Sequence, residues 1–127
     1  MDKKIMIMAG GTGGHVFPAL AVAENLRAKG WQVSWLGTEK GLESRVVPAK
    51  NIELDYLSVA GVRGKGLFTK FKSVLLLFKA CLQARQHLKN RKPDVVLGMG
   101  GFVAAPGGLM AKLSGIPLVI HEQNRVV

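Results

Sequence analysis

The chain alternates between two periodicities, and that alternation limits its fold more than any other feature. Short apolar runs at 5–9, 32–36, 52–57, 94–97 and 118–120 read as strands. Between them, residues 16–29, 41–49 and 67–89, and a stretch from 103 to about Ser114, read as helices. Punctuation agrees: Gly30 stops the first helix, Pro48 ends the second, and Gly115 and Pro117 precede the last strand. Pro18 is expected in the first turn of its helix, where a missing N–H costs little. Nearly continuous apolar strands joined by helical crossovers predict a parallel sheet covered on both faces. Right-handed crossovers make the sheet doubly wound, so the predicted fold is α/β and Rossmann-like. At 127 residues it is one domain, able to bury roughly two thirds of its unfolded surface.

Ligands on such sheets bind beyond the carboxyl ends of the strands. Three unusual segments fall there: Gly10-Gly11-Thr12-Gly13-Gly14-His15, a second glycine-rich turn at 98–102, and His121-Glu122-Gln123-Asn124. All three are expected on one rim. Four glycines within five residues leave backbone N–H groups open to a phosphate or sugar. Taken alone, the turn is equally a tight strand-to-helix connection. His15 stands where the turn becomes helix. The positive helix end favours the neutral imidazole, the form a general base must hold; a packed or solvated histidine is the alternative. The dinucleotide fingerprint is incomplete, because position 16 is Val, and no acidic residue clearly closes the second strand. That disfavours a nicotinamide-dependent oxidoreductase half. No phosphate-binding Gly-x-x-x-x-Gly-Lys motif is present.

Eighteen basic residues against eight acidic ones give a net charge of +10. An anionic partner follows: nucleic acid, a membrane surface or a phosphorylated ligand. Along 67–89, residues Leu67, Phe71, Val74, Phe78, Cys81 and Leu82 form one stripe, the expected core face. Leu76 is expected on the other side near Lys72 and Lys79, with Leu75 and Phe68 between. With Arg63 and Lys65 in the preceding loop, that side suggests docking on anionic lipid. A solvated basic face is the plainer alternative. The single Cys81 gives no internal disulfide and no metal-ligand cluster, and suits a cytoplasmic setting. No apolar run approaches the roughly 18 residues that span a bilayer.

Together the three motifs resemble the MurG family of peptidoglycan glycosyltransferases, which convert lipid I to lipid II. Val16-Phe17-Pro18-Ala19-Leu20-Ala21 and Lys92-Pro93-Asp94-Val95-Val96 fit as well, so the resemblance covers essentially the whole chain. It implies the N-terminal, acceptor-binding half of a GT-B fold, incomplete at its C-terminal end, with the donor-binding domain outside residues 1–127. It implies inverting transfer of N-acetylglucosamine from UDP-GlcNAc to the MurNAc 4-hydroxyl of lipid I, with no cofactor and no catalytic metal. His15 matches the proposed base, and Glu122 a motif acid. Thr12, Gly13, Gly14 and Asn124 match donor contacts. Gly11, Gly100, Gly101 and Phe102 would cradle the acceptor diphosphate; many relatives carry Tyr at the last position. Arg63, Lys65, Lys72, Leu75, Leu76 and Lys79 would dock on anionic inner-membrane lipids, at the cytoplasmic face. Other cell-wall synthesis proteins are further partners, and nucleic acid is not. The isolated chain is expected to be inactive. A competing reading is a non-catalytic module that docks on membranes or proteins.

Overall fold

The structure, a computed structural model, describes residues 3–10, 13–39, 41–57, 67–100 and 104–120. Its elements are β1 (Lys4–Ala9), α1 (Gly13–Ala28), β2 (Gln32–Gly37), α2 (Glu43–Ala49), β3 (Glu53–Tyr56), α3 (Leu67–Arg91), β4 (Val95–Gly100), α4 (Ala104–Leu113) and β5 (Leu118–Ile120). The five strands form one parallel sheet in the order β3-β2-β1-β4-β5. The chain moves outward from β1 to β3, then crosses back to β4 and continues outward to β5. That reversal makes the sheet doubly wound, as the alternation predicted.

Strand periodicity sorts the core into two layers. Ile5, Ile7 and Ala9 of β1 face one side, where Trp35, Val16, Ala19, Ala23 and Val47 bury them under α1 and α2. Met6 and Met8 face the other, with Leu36, Val96, Ala80, Ala84, Leu88 and Ala111 under α3 and α4. Gly107 of α4 lies against Met8, and a Cβ there would overlap the Met8 Sδ, so glycine lets α4 sit close to the sheet. α1 ends at Ala28, and the turn that follows passes through Gly30, whose φ of 93° is open to glycine at no steric cost.

Three expectations need correction. α1 begins at Gly13, so Gly13, Gly14 and His15 are helix rather than turn, and Pro18 is its sixth residue. Pro18 thus lies beyond the first turn and offers no N–H to the Gly14 carbonyl. Gly98 and Gly100 belong to β4, not to a turn. The pairing of β4 with β1 steps from Met8↔Gly98 to Ala9↔Gly100, an irregularity that passes over Met99 and suits glycine.

The third correction concerns α3. The stripe expected in the core is largely outside it: Phe71, Val74 and Phe78 are 62%, 63% and 64% exposed, and Leu82 is exposed too. The covered stripe is Ala80, Ala84 and Leu88, and Leu76 on that same side is partly buried. Leu75 instead joins the exposed apolar stripe. Small side chains decide the orientation, because alanines let α3 approach α4 and the sheet closely. Length explains the rest. Twenty-five helical residues span about 37 Å, against about 20 Å for a six-residue strand. Only the last half of α3 has a sheet to lie on.

Candidate functional site

In a doubly wound sheet the crevice opens where two neighbouring strands send their chains to opposite sides. Here those strands are β1 and β4. Ala9, the last residue of β1, pairs with Gly100, the last of β4, and Gly98 pairs with Ile120 at the end of β5. The three strands preceding the three motifs therefore end side by side on one rim. α1 starts four residues after Ala9, and α4 four after Gly100. Neither has an acidic residue in its first turn. Both present free N–H groups and the positive ends of their dipoles to this rim, which suits an anion.

Individual residues are placed as follows. Gly13 opens α1, Gly14 is exposed on its first turn, and the His15 backbone is its third residue. Gly100 closes β4. Gly11, Thr12, Arg63, Lys65, Gly101, Phe102, Glu122 and Asn124 lie outside the described residues, as does the His15 side chain. Lys72, Leu75 and Lys79 are exposed along the first half of α3, and Arg85 and Lys89 are exposed on its second half. Among the described residues, no group of three or more His, Cys, Asp or Glu is placed to hold a metal ion. No helix among them is long and apolar enough to cross a membrane.

Three residues that support the rim were not singled out in the sequence. The Trp35 Nε1–H of β2 donates to the Ala9 carbonyl at 2.8 Å, in the core. Glu43, the first residue of α2, is fully buried. Its Oε2 accepts from the Thr38 N–H at 2.8 Å and the Thr38 hydroxyl at 3.3 Å. A buried tryptophan needs a partner for its N–H, which was the available signal for Trp35. Glu43 looked like an ordinary acidic residue in a first helical turn.

At the β3 edge of the sheet, Arg91 grips Asp55 with two hydrogen bonds of 2.9 and 3.0 Å, and Glu53 lies 3.6 Å from it. The bond to Asp55 raises the Arg91 guanidinium further above its already high ordinary range. This pair ties the end of α3 to β3. A cavity of about 480 Å³ opens between Lys4, Arg27, Gln32, Asn51 and Arg91, at the strand starts. Its guanidinium groups are already engaged, Arg27 with the Lys50 carbonyl at 2.7 Å and Arg91 with Asp55. It lies opposite the rim where the motifs meet.

The profile of the glycosyltransferase family 28 N-terminal domain matches residues 5–127. A relative from Methylococcus capsulatus, the UDP-N-acetylglucosamine–N-acetylmuramyl-(pentapeptide) pyrophosphoryl-undecaprenol N-acetylglucosamine transferase, is 64% identical over 126 residues. The match covers 99% of this chain and 36% of the relative. The same transferase from Shewanella pealeana is 55% identical over 125 residues, 98% of this chain and 34% of the relative. The crystal structure of Acinetobacter baumannii MurG matches with a TM-score of 0.84 at 50% identity, over 98% of this chain and 36% of that one. The chain thus spans about a third of the length of these relatives. With a family profile over nearly its whole length and a doubly wound sheet that superposes on such an enzyme, the chain belongs to glycosyltransferase family 28, as the N-terminal half of a GT-B fold.

Proposed function

We propose that this chain is the acceptor-side half of an inverting glycosyltransferase that moves N-acetylglucosamine from UDP-GlcNAc to the MurNAc 4-hydroxyl of lipid I. The observation that carries the reading is the 64% identity, over 126 residues, to a transferase named for that reaction. The geometry agrees, since β1, β4 and β5 end together beneath two acid-free helix starts. The N–H groups following β1 and β4 hold the acceptor diphosphate, with Gly11, Gly100, Gly101 and Phe102 around it. Thr12, Gly13, Gly14 and Asn124 touch the donor. His15 takes the proton from the acceptor hydroxyl as its oxygen attacks the anomeric carbon and UDP departs, and Glu122 assists. Helix dipoles and cations offset the charge that develops on UDP, without a metal.

A lipid-linked acceptor requires a membrane surface. The exposed stripe Phe71, Val74, Leu75, Phe78 and Leu82, flanked by Lys72 and Lys79, supports peripheral docking on anionic lipid at the cytoplasmic face. Arg63 and Lys65 add charge from the preceding loop. The same stripe is the observation that favours the second reading, a docking module without catalysis.

The test replaces the matching segment of the Methylococcus capsulatus relative with this chain. Transfer of GlcNAc to a lipid I analogue is expected from the chimera and not from the 127-residue chain. In the chimera, His15→Ala is expected to lower kcat by about 10²–10⁴-fold, the usual size of general-base catalysis, and to keep UDP-GlcNAc affinity. A chimera without transfer refutes the function. Unchanged turnover in the variant removes His15 from the chemistry.

A further inference from the structure

Glu43 is a fully buried carboxyl group that the proposed chemistry does not use. It lies where the ends of β1 and β2 meet the turn into α2. A Cβ built on Gly10 would stand 2.5 Å from its Oε2, and one on Gly37 would stand 2.5 Å from its Cγ. One on Gly41 would overlap its Oε1. Three backbone segments approach this one carboxyl group because each places a glycine against it. The Thr38 N–H and hydroxyl meet its Oε2. A buried carboxyl group without such partners is costly, so its place is specific.

Gly10 follows β1 directly, and α1 begins three residues later. The preceding carbonyl, that of Ala9, is held from β2 by the Trp35 indole. The chain end of β1 is therefore held from β2 by a hydrogen bond to the Ala9 carbonyl, and Glu43 of α2 fills the space beside the Gly10 Cα, where a Cβ would have no room. The geometry points to Glu43 as a positioning residue that seats Gly10, and through it sets where the chain leaves β1 for the start of α1 at the rim. This rests on the reading of the glycine-rich 10–14 segment as part of the transferase site. The shape and length of the side chain matter, since contact with Gly10 is what transmits its position. Glu43→Gln keeps both and can still accept from Thr38. Glu43→Asp keeps the carboxylate but withdraws it by one methylene.

The test uses the chimera described above, with Glu43→Asp and Glu43→Gln assayed well below their melting midpoints. Glu43→Asp is expected to lower kcat by about tenfold or more, the scale of a sub-ångström to 1 Å misplacement. Glu43→Gln stays within about threefold of the parent in kcat. A Glu43→Asp enzyme with parental kcat overturns the proposal, as does a loss seen only near its melting midpoint, or a Glu43→Gln loss as large as that of Glu43→Asp. His15→Ala, run in parallel, separates the causes: if it lowers kcat and Glu43→Asp does not, Glu43 alone is misassigned, whereas parental turnover in both removes the turn from the site.

Discussion

Trp35→Phe tests how the rim end of β1 is held. The indole N–H meets the Ala9 carbonyl at 2.8 Å, and both residues are fully buried. Phenylalanine keeps an aromatic ring in the core but leaves that carbonyl without its donor. An orphaned buried acceptor costs about 1–3 kcal/mol. The missing second ring adds about 1 kcal/mol for each methyl-sized void that stays unfilled. The expected loss is about 2–4 kcal/mol. Unfolding entropy near 2.1 cal/mol/K per residue comes to about 0.27 kcal/mol/K for a chain this size, so the melting midpoint falls by about 7–15 °C. Far-UV circular dichroism during urea and thermal unfolding reads this without depending on tryptophan emission. Hydrogen exchange isolates the bond itself: in the parent chain the Trp35 indole proton is expected to exchange about as slowly as the Leu36 amide in the same strand. A loss below about 0.5 kcal/mol, or an indole proton that exchanges within minutes while Leu36 stays protected, refutes the argument.

The orientation of α3 gives a paired expectation. Ala84→Leu, on the fully buried face, should cost about 1–3 kcal/mol through overpacking, while Phe78→Ser, at 64% exposure, should change stability by less than about 0.5 kcal/mol yet reduce co-sedimentation with anionic vesicles at low salt. Arg91→Lys should destabilise by about 1 kcal/mol, after allowance for its partial exposure, because lysine cannot make the two-pronged contact with Asp55. Urea unfolding at several pH values checks it. The folded guanidinium is raised above its ordinary, strongly basic range, so its contribution is complete at every pH below that range and fades only as pH rises through the still higher folded value. The penalty should therefore be the same at about pH 8 and about pH 9.

The order of elements was legible because apolar runs and helical spacing leave few alternatives in a chain this short. All five apolar runs became strands. Their ends were less legible, since glycine has two uses. Gly98 and Gly100 read as a turn, yet they extend β4 where the ladder passes over Met99. The two faces of α3 are not legible from side-chain size, because here the bulky residues are exposed and the small ones are buried. Ala80 and Ala84 carry little hydrophobic weight in a periodicity argument, but they set the distance at which the helix packs. At the site, topology alone brought the three motif-bearing strand ends to one rim. The supports beneath it were not legible, because Trp35 and Glu43 act across elements, through a carbonyl and through the absence of a Cβ on Gly10.

The misread helix strengthens the proposed function. α3 leads into β4, so it runs opposite to the strands, and its C-terminal half covers the sheet through Ala80, Ala84 and Leu88. The surplus length therefore extends toward the carboxyl ends of the strands, where the glycine-rich segments gather. The exposed Phe71, Val74, Leu75 and Phe78 lie on that surplus. A transferase whose acceptor is anchored in lipid must bring its diphosphate-binding turn to the membrane surface. An apolar stripe with a basic flank on the same end of the molecule meets that requirement without a spanning helix.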